Sequence, residues 1–351
     1  NFKRFFSLIN KMPCSYICTN LTSYERQGQG DMDSAEFQSE ITDRLGITPV
    51  AFSLKNCFSN KYELVKTAGE IRIRAGMPLC IIGGNKKQKY FINTNGQTVP
   101  AEKAYIPSKE EINRIFAGIC RSSLYAYKED IKNGFITLKG GHRVGIAGKM
   151  LPDGAVYDVS SLNIRIARQI KGCSKNIIKH IIKNQKEIYS TLIISPPACG
   201  KTTVIRDIAR ILGSENSFPE FKGVSVGIVD ERSEIAACYN GIPSNDVGMM
   251  TDVYDACPKE KGIMMMIRSM APEVIITDEI GGTGDAAAVE SAINAGVKII
   301  ATAHGSCLGD MKIRKEIAAM MVAGAFEKYI TLSCDNGPST LKEVISGEKR
   351  R

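Results

Sequence analysis

The run Ser195-Pro196-Pro197-Ala198-Cys199-Gly200-Lys201-Thr202-Thr203 contains the Gly-Lys-Thr triplet with which phosphate-binding loops enter a helix. In such a loop the backbone N–H groups and the helix N-terminus hold phosphates. Lys201 then reaches the β- and γ-oxygens of ATP, and the Thr202 hydroxyl ligates Mg²⁺. The pattern asks for Gly where Ser195 stands, so Ser195 predicts a distorted turn, although it is small enough to keep the loop. Cys199 reads as a tolerated loop residue, because nothing nearby in sequence supplies a base.

Gly-Lys-Thr alone is common by chance, and its weight comes from what else the chain offers. VIITDE ends in Asp278-Glu279, where an Asp can hold Mg²⁺ and the adjacent Glu can polarise an attacking water. VSVGIV ends in Asp230-Glu231, with Asp230 expected as a further metal ligand and Glu231 as a catalytic carboxylate. VKIIA runs into Thr302-Ala303-His304, where His304 either senses a γ-phosphate or caps the next helix.

These residues need a frame that brings them to one edge. From residue 189 the chain alternates short apolar strands with helices: 190–195, 224–230, 273–279, 297–303 and 329–333. Near-continuous Val/Ile runs of this kind mark buried parallel strands covered on both faces, and ligands bind at the carboxyl ends of such strands. KTTVIRDIARIL (201–212) puts Val204, Ile205, Ile208 and Ile211 on one helical face, directly after the loop.

The earlier half has a different texture. EIRIRAG (70–76) alternates with Ile71 and Ile73 on one face and Arg72 and Arg74 on the other. Residues 89–100 form a hairpin turned at Asn95-Gly96, and 135–148 form two strands around Gly140-Gly141. Ser108 opens a helix with Glu111 three residues on, a capping box, and Ile112, Ile115, Phe116 and Ile119 line one face. In NIRIARQI, Arg168 shares the parity of Ile164 and Ile166, an awkward place for a charge without an anionic partner. The expected plan is a tail over 1–36, with Met32 as a plausible internal start, an α+β domain over 37–170, a linker over 171–188 and an α/β ATPase domain over 189–351.

Composition bounds the function classes. The chain has 351 residues, 43% of them hydrophobic and 24% charged, as in globular proteins with more than one core. The longest apolar run, Ile317 to Phe326, is far short of the roughly 20 residues of a membrane span, and the interrupted N-terminal segment argues against a cleaved signal. Eleven scattered Cys, without zinc spacing, argue for reduced thiols in a cytoplasm. The net charge of +9 falls within residues 1–170, which hold 24 Lys and Arg against 15 Asp and Glu, so an anionic partner would meet that half.

VGIVDERSEIA, DVGMMTDVYDACPKEKGIMMMIRSMAPEVIITDEIG and ATAHG together resemble the sporulation members of the type II and type IV secretion ATPase superfamily. EIRIRAG, GFITLKGGHRVGIAGK and LNIRIARQI extend the resemblance over about residues 37–345. It implies a RecA-like P-loop core behind an N-terminal domain, ATP and Mg²⁺ as cofactors, and a homo-hexameric ring. It also implies a place on the mother-cell side, in the cytoplasm, peripheral to membrane-embedded channel proteins. By the same resemblance Asp230 and Glu231 match an acidic box, Asp278 and Glu279 the Walker B pair, His304 a histidine box, and Arg268 the arginine preceding Walker B. Arg165 and Arg168 match arginines that the N-terminal domain presents to the nucleotide. The family usually has Gly at 195 and near 198, so Ser195 and Ala198 depart from it.

The combined expectation is a Mg²⁺-dependent ATPase acting as a ring motor, with no stable nucleic-acid partner and no membrane span of its own. A nucleotide-regulated scaffold with little hydrolysis and a nucleic-acid-binding ATPase are the competing readings.

Overall fold

The structure, a computed structural model, describes residues 41–347 apart from 61–63, 65–66, 84–87, 121–126, 133, 153–155, 198 and 336. The tail expected over 1–36 and the loop residue Ala198 lie outside the described residues.

Seven strands build the first sheet: β1 (Ala68–Arg74), β2 (Cys80–Gly83), β3 (Gln88–Ile92), β4 (Thr98–Val99), β5 (Phe135–Thr137), β6 (Arg143–Met150) and β7 (Val156–Arg165). Their order is β4-β3-β2-β1-β7-β6-β5, and every neighbouring pair is antiparallel. Ile71 and Ile73 are fully buried while Arg72 and Arg74 are half-buried on the opposite face, as the alternation requires. The helix Lys109–Ile119 starts at Ser108, whose side chain accepts from the Glu111 N–H at 3.2 Å. Only that half of the expected capping box forms. The Glu111 carboxylate is instead buried between the Val50 N–H (2.8 Å) and the Tyr105 hydroxyl (2.6 Å), and it pins two neighbouring segments. Burial, and then Glu111, push the Tyr105 hydroxyl up to about 12.

The second sheet holds β8 (Thr191–Ser195), β9 (Val226–Asp230), β12 (Thr251–Asp255), β13 (Val274–Thr277), β14 (Lys298–His304), β15 (Lys328–Ser333) and β16 (Thr340–Ser346); β10 (Cys238–Tyr239) and β11 (Ile242–Pro243) form a separate ribbon. The order is β12-β9-β13-β14-β8-β15-β16, parallel except that β16 runs antiparallel to β15. β8, β9, β13 and β15 are almost wholly buried, which their apolar runs dictate. β12 and β16 are edge strands of mixed polarity, without a strong apolar pattern.

Three expectations need correction. The segment 171–188 is no linker: Ile177, Ile178, Ile181 and Ile188 are buried in the core of the second domain, because four Ile at this spacing exclude water better than they bridge it. β7 stops at Arg165, so the face parity argued for Arg168 does not apply. Finally, Cys199 and Cys334 form a disulfide, whereas all cysteines were expected reduced.

The first domain rests on residues 232–246, the loop after β9. Arg143 pairs with Glu234 at 2.7 Å and donates to the Arg232 carbonyl, Gly140 N–H donates to Ser244 Oγ at 3.1 Å, and Arg44 donates to the Tyr239 hydroxyl at 2.7 Å. Gln169 and Lys171 both engage Asp246. At this junction His142 is fully buried, and its Nδ1 accepts from the Ala167 N–H at 3.0 Å. Burial, and then Arg168, lower its imidazole from the ordinary 6.5 to about 4. The unfolded chain therefore takes up a proton between these values that the folded chain refuses, and stability falls as pH drops through this window. The loss from this residue by pH 4 is about 3 kcal/mol. Urea unfolding at pH 7 and pH 4 measures it, and His142→Gln should remove that part of the acid sensitivity.

Candidate active site

The carboxyl ends of the parallel strands supply the chemistry. β8 runs into the loop, and the helix Lys201–Leu212 follows with Gly200 at its N-cap in a left-handed conformation (φ 84°) that favours Gly. Gly200 offers no side-chain cap, so the first N–H groups of this helix are left for a ligand or solvent. An added Cβ on Gly200 would lie 2.6 Å from Ser339 Oγ, which fixes how closely the β15–β16 turn covers the loop.

β14 lies between β8 and β13 and pairs His304 with Ser195. That register sets three predicted residues in a chain. Lys201 Nζ donates to the Ser195 and Pro196 carbonyls at 3.1 and 3.2 Å and lies 2.7 Å from His304 Nδ1. Since an ammonium only donates, Nδ1 accepts, and Nε2 carries the proton that faces Glu279 Oε2 at 3.3 Å. Arg232 Nη1 approaches the same Glu279 oxygen at 3.8 Å. Burial lowers the Lys201 pKa, and the Glu279 charge opposes it.

Gly200, Lys201, Thr202, Thr203, Arg232, Glu234, Asp278, Glu279, Thr302 and His304 line a cavity of about 320 Å³. Burial pushes the Asp278 carboxyl up to about 6, although the Lys259 ammonium, 3.4 Å from Oδ1, pulls the other way. Glu231 does not line this cavity; it pairs with Lys259 and so borders Asp278 through that ammonium. Residues here suit a nucleotide with its cation. The helix start is open to phosphate, Lys201 supplies positive charge, and Thr202 and Asp278 supply hard oxygens.

Asp230 departs from its expected place as a metal ligand. Its carboxylate is fully buried and saturated by backbone, with Oδ1 accepting from Glu234 N–H (2.8 Å) and Oδ2 from Ile235 and Ala236 N–H (2.9 Å each). It shapes the loop that carries Glu231, Arg232 and Glu234. Arg268 departs too. It is exposed in the last turn of the helix Lys259–Ser269, just before the amino end of β13, so the sheet separates it from the cavity at the carboxyl ends. Ser195 also corrects its expectation: it is an ordinary strand residue, absent from the positions with positive φ, and its hydroxyl donates to the Pro196 carbonyl. Ser195→Gly therefore relieves no strain. It should cost about 0.5–1 kcal/mol of stability and bring no gain in nucleotide affinity, as urea melts and a titration would read. Pro197 is exposed, and the Thr203 carbonyl accepts from Cys173 Sγ.

A second cleft of about 440 Å³ opens between the domains and shares Thr202 and Glu234 with the first. Arg165 lines it with Arg143 and Arg206. Arg168 is exposed, and its carbonyl accepts from Arg206 Nη1 of the second domain at 3.3 Å.

Sequence reasoning missed Lys259, Arg206 and Arg143. Lys259 carried a signal: a lysine in the first turn of a helix opposes the helix dipole, and here it is buried at 7% exposure because Asp278 and Glu231 hold it. Arg206 carried another, as a cation between apolar Ile205 and Ile208. It donates to the Glu234, Ile235 and Arg168 carbonyls.

The family model for sporulation stage III, protein AA matches residues 45–350. Stage III sporulation protein AA of Bacillus subtilis (strain 168) is 40% identical over 281 residues, covering 78% of this chain and 85% of that protein. The uncharacterized protein ycf45 of Porphyra purpurea is 31% identical over 191 residues, 53% of this chain but 31% of that one. Among solved structures, the Legionella pneumophila ATPase DotB aligns with a TM-score of 0.52 at 15% identity, covering 78% of this chain and 74% of that one. The pilus retraction motor PilT with bound ADP aligns at 0.53 and 13%, covering 84% and 83%. The fold is that of the RecA-like secretion ATPases. Among the described residues no helix is long and apolar enough to cross a membrane.

Proposed function

Because the chain belongs to the sporulation stage III protein AA family, we propose that it is a Mg²⁺-dependent ATPase that works as a ring during spore formation. One observation carries the reading: Lys201, Thr202, Asp278, Glu279 and His304 meet around one cavity at an open helix start. Bound Mg²⁺ would neutralise charge on the β- and γ-phosphates. Thr202 and Asp278 are the residues that would hold it. Lys201 leaves the Ser195 and Pro196 carbonyls for phosphate oxygens, which also releases His304 Nδ1. Glu279 orients water and accepts its proton, and His304 Nε2 keeps that carboxylate aimed. Lys259 holds Asp278 and Glu231 in place from behind.

Arg165 borders Thr202 across the interdomain cleft, so closing the first domain on the second brings a cation toward the phosphates. Arg268, on the opposite edge of the sheet, acts only from a neighbouring subunit. PilT is named as a motor and DotB as an ATPase, and the family name supports a sporulation role. From these we take a homo-hexamer on the cytoplasmic, mother-cell side, docked on membrane-embedded channel proteins. The test is phosphate release from ATP by the purified chain, with Mg²⁺ or with chelator, and with or without single-stranded DNA. Metal-dependent release that DNA leaves unchanged supports the reading; release only with DNA favours a nucleic-acid ATPase.

A further inference from the structure

The disulfide between Cys199 and Cys334 joins the residue immediately before Gly200-Lys201 to the end of β15, 135 residues along the chain. Cys199 is buried at 4% exposure and Cys334 is exposed, so small reagents reach one sulfur of the pair from solvent. The β15–β16 turn adds a second tie, with the Ser339 N–H donating to the Cys199 carbonyl at 3.0 Å. Clipped in this way, the loop keeps Lys201 turned onto its own Ser195 and Pro196 carbonyls and onto His304. The other seven cysteines among the described residues are outside any disulfide.

We propose that Cys199 and Cys334 are a thiol modification site at which a low-molecular-weight disulfide oxidises the pair, locks the phosphate loop and weakens nucleotide binding. The proposal rests on the nucleotide reading of the same loop. To reach a phosphate, Lys201 must swing off the Ser195 and Pro196 carbonyls and off His304, and the loop just before it must be free to follow. A covalent tie with Cα atoms 5.5 Å apart holds the segment that has to turn.

The chemistry balances. The Cys334 thiolate attacks the small disulfide, forming a mixed disulfide and releasing one small thiol. The Cys199 thiolate then attacks the Cys334 sulfur and releases the second. Two protein thiols lose two electrons, which leave on the two small thiols. A reducing thiol reverses both steps, starting at the exposed sulfur, and disulfides that act inside a reducing compartment are of this transient kind.

The test uses the full chain. Protein is reduced with dithiothreitol or oxidised with glutathione disulfide, the 199–334 peptide pair is read by mass spectrometry, and affinity for a fluorescent ATP analogue is titrated in each state. The expected result is about tenfold or more weaker binding when crosslinked, restored by dithiothreitol, and no oxidant response in Cys334→Ser. Equal affinity in crosslinked and reduced protein overturns the proposal, as does an absent 199–334 crosslink or an oxidant response that persists in Cys334→Ser. If reduced protein binds no nucleotide at all, the nucleotide reading falls and this proposal falls with it. If reduced protein binds and the crosslink changes nothing, only the switch falls.

Discussion

Lys201→Ala should lose tight ATP binding, by about 100-fold, because hydrogen bonds to charged groups contribute roughly 1.5–3 kcal/mol each and this ammonium makes more than one. The two described cations nearest Glu279 and Asp278 are engaged elsewhere. Lys259 is committed to Asp278 and Glu231, and Arg232 leans on Glu279 from a side chain that is 61% exposed. Folding should survive, since burial already works against the Lys201 charge and its loss leaves only two loop carbonyls and His304 without that donor. A fluorescent-nucleotide titration reads the affinity, and a thermal melt without nucleotide confirms the fold. Unchanged affinity in a folded variant would mean that the loop holds no phosphate.

The architecture of the second domain was legible because burial writes itself into sequence. A strand such as Thr191–Ser195, covered on both faces, must be apolar throughout, and Val204, Ile205, Ile208 and Ile211 mark the inner face of the following helix. β12 and β16 were not legible, since edge strands are half solvated and need no apolar run. In the site, Lys201 and Thr202 were read from the Gly-Lys-Thr triplet and Asp278, Glu279 and His304 from strand ends that share one edge, and the five line one cavity. Asp230 was misplaced by the same rule: it also ends a strand, but the chain folds back over it, and three backbone N–H groups take both oxygens. Which way a strand-end carboxylate faces depends on the loop after it, and loop geometry is not periodic. Cys199 and Cys334 were invisible as a pair for a related reason, since a contact across 135 residues leaves no local pattern.

The first domain and the site are coupled through one loop. Asp230 holds the Glu234–Ala236 backbone from beneath, Arg206 on the phosphate-loop helix holds the Glu234 and Ile235 carbonyls from the side, and Arg143 of the first domain grips the Glu234 carboxylate. Arg206 also reaches the Arg168 carbonyl at the end of the first domain, and Asp207, its neighbour, accepts from the Gly172 and Ser174 N–H groups. The helix after the phosphate loop is thereby bonded to residues 168–174, where the chain passes from the first sheet to the second.

Glu279→Gln should bind ATP normally and hydrolyse it at least about 100-fold more slowly, general-base removal typically costing 10²–10⁴ in rate. Glu279 should contribute little to ground-state binding, because its Oε2 is held by His304 Nε2 and Arg232 and a carboxylate gains nothing from the negative phosphates. The amide keeps the size and can still accept from His304 Nε2, so the geometry survives while the base is gone. An interaction realised only as the reaction proceeds should reduce kcat and kcat/KM together and leave affinity alone. Nucleotide titration and phosphate release on the same preparation read the two quantities. The same variant separates a motor from a scaffold in cells: a motor variant assembles yet fails to support spore formation, whereas a scaffold needs only the bound nucleotide. If Glu279→Gln sporulates as well as the parent while its phosphate release is abolished, hydrolysis is dispensable and the ring acts by binding ATP alone.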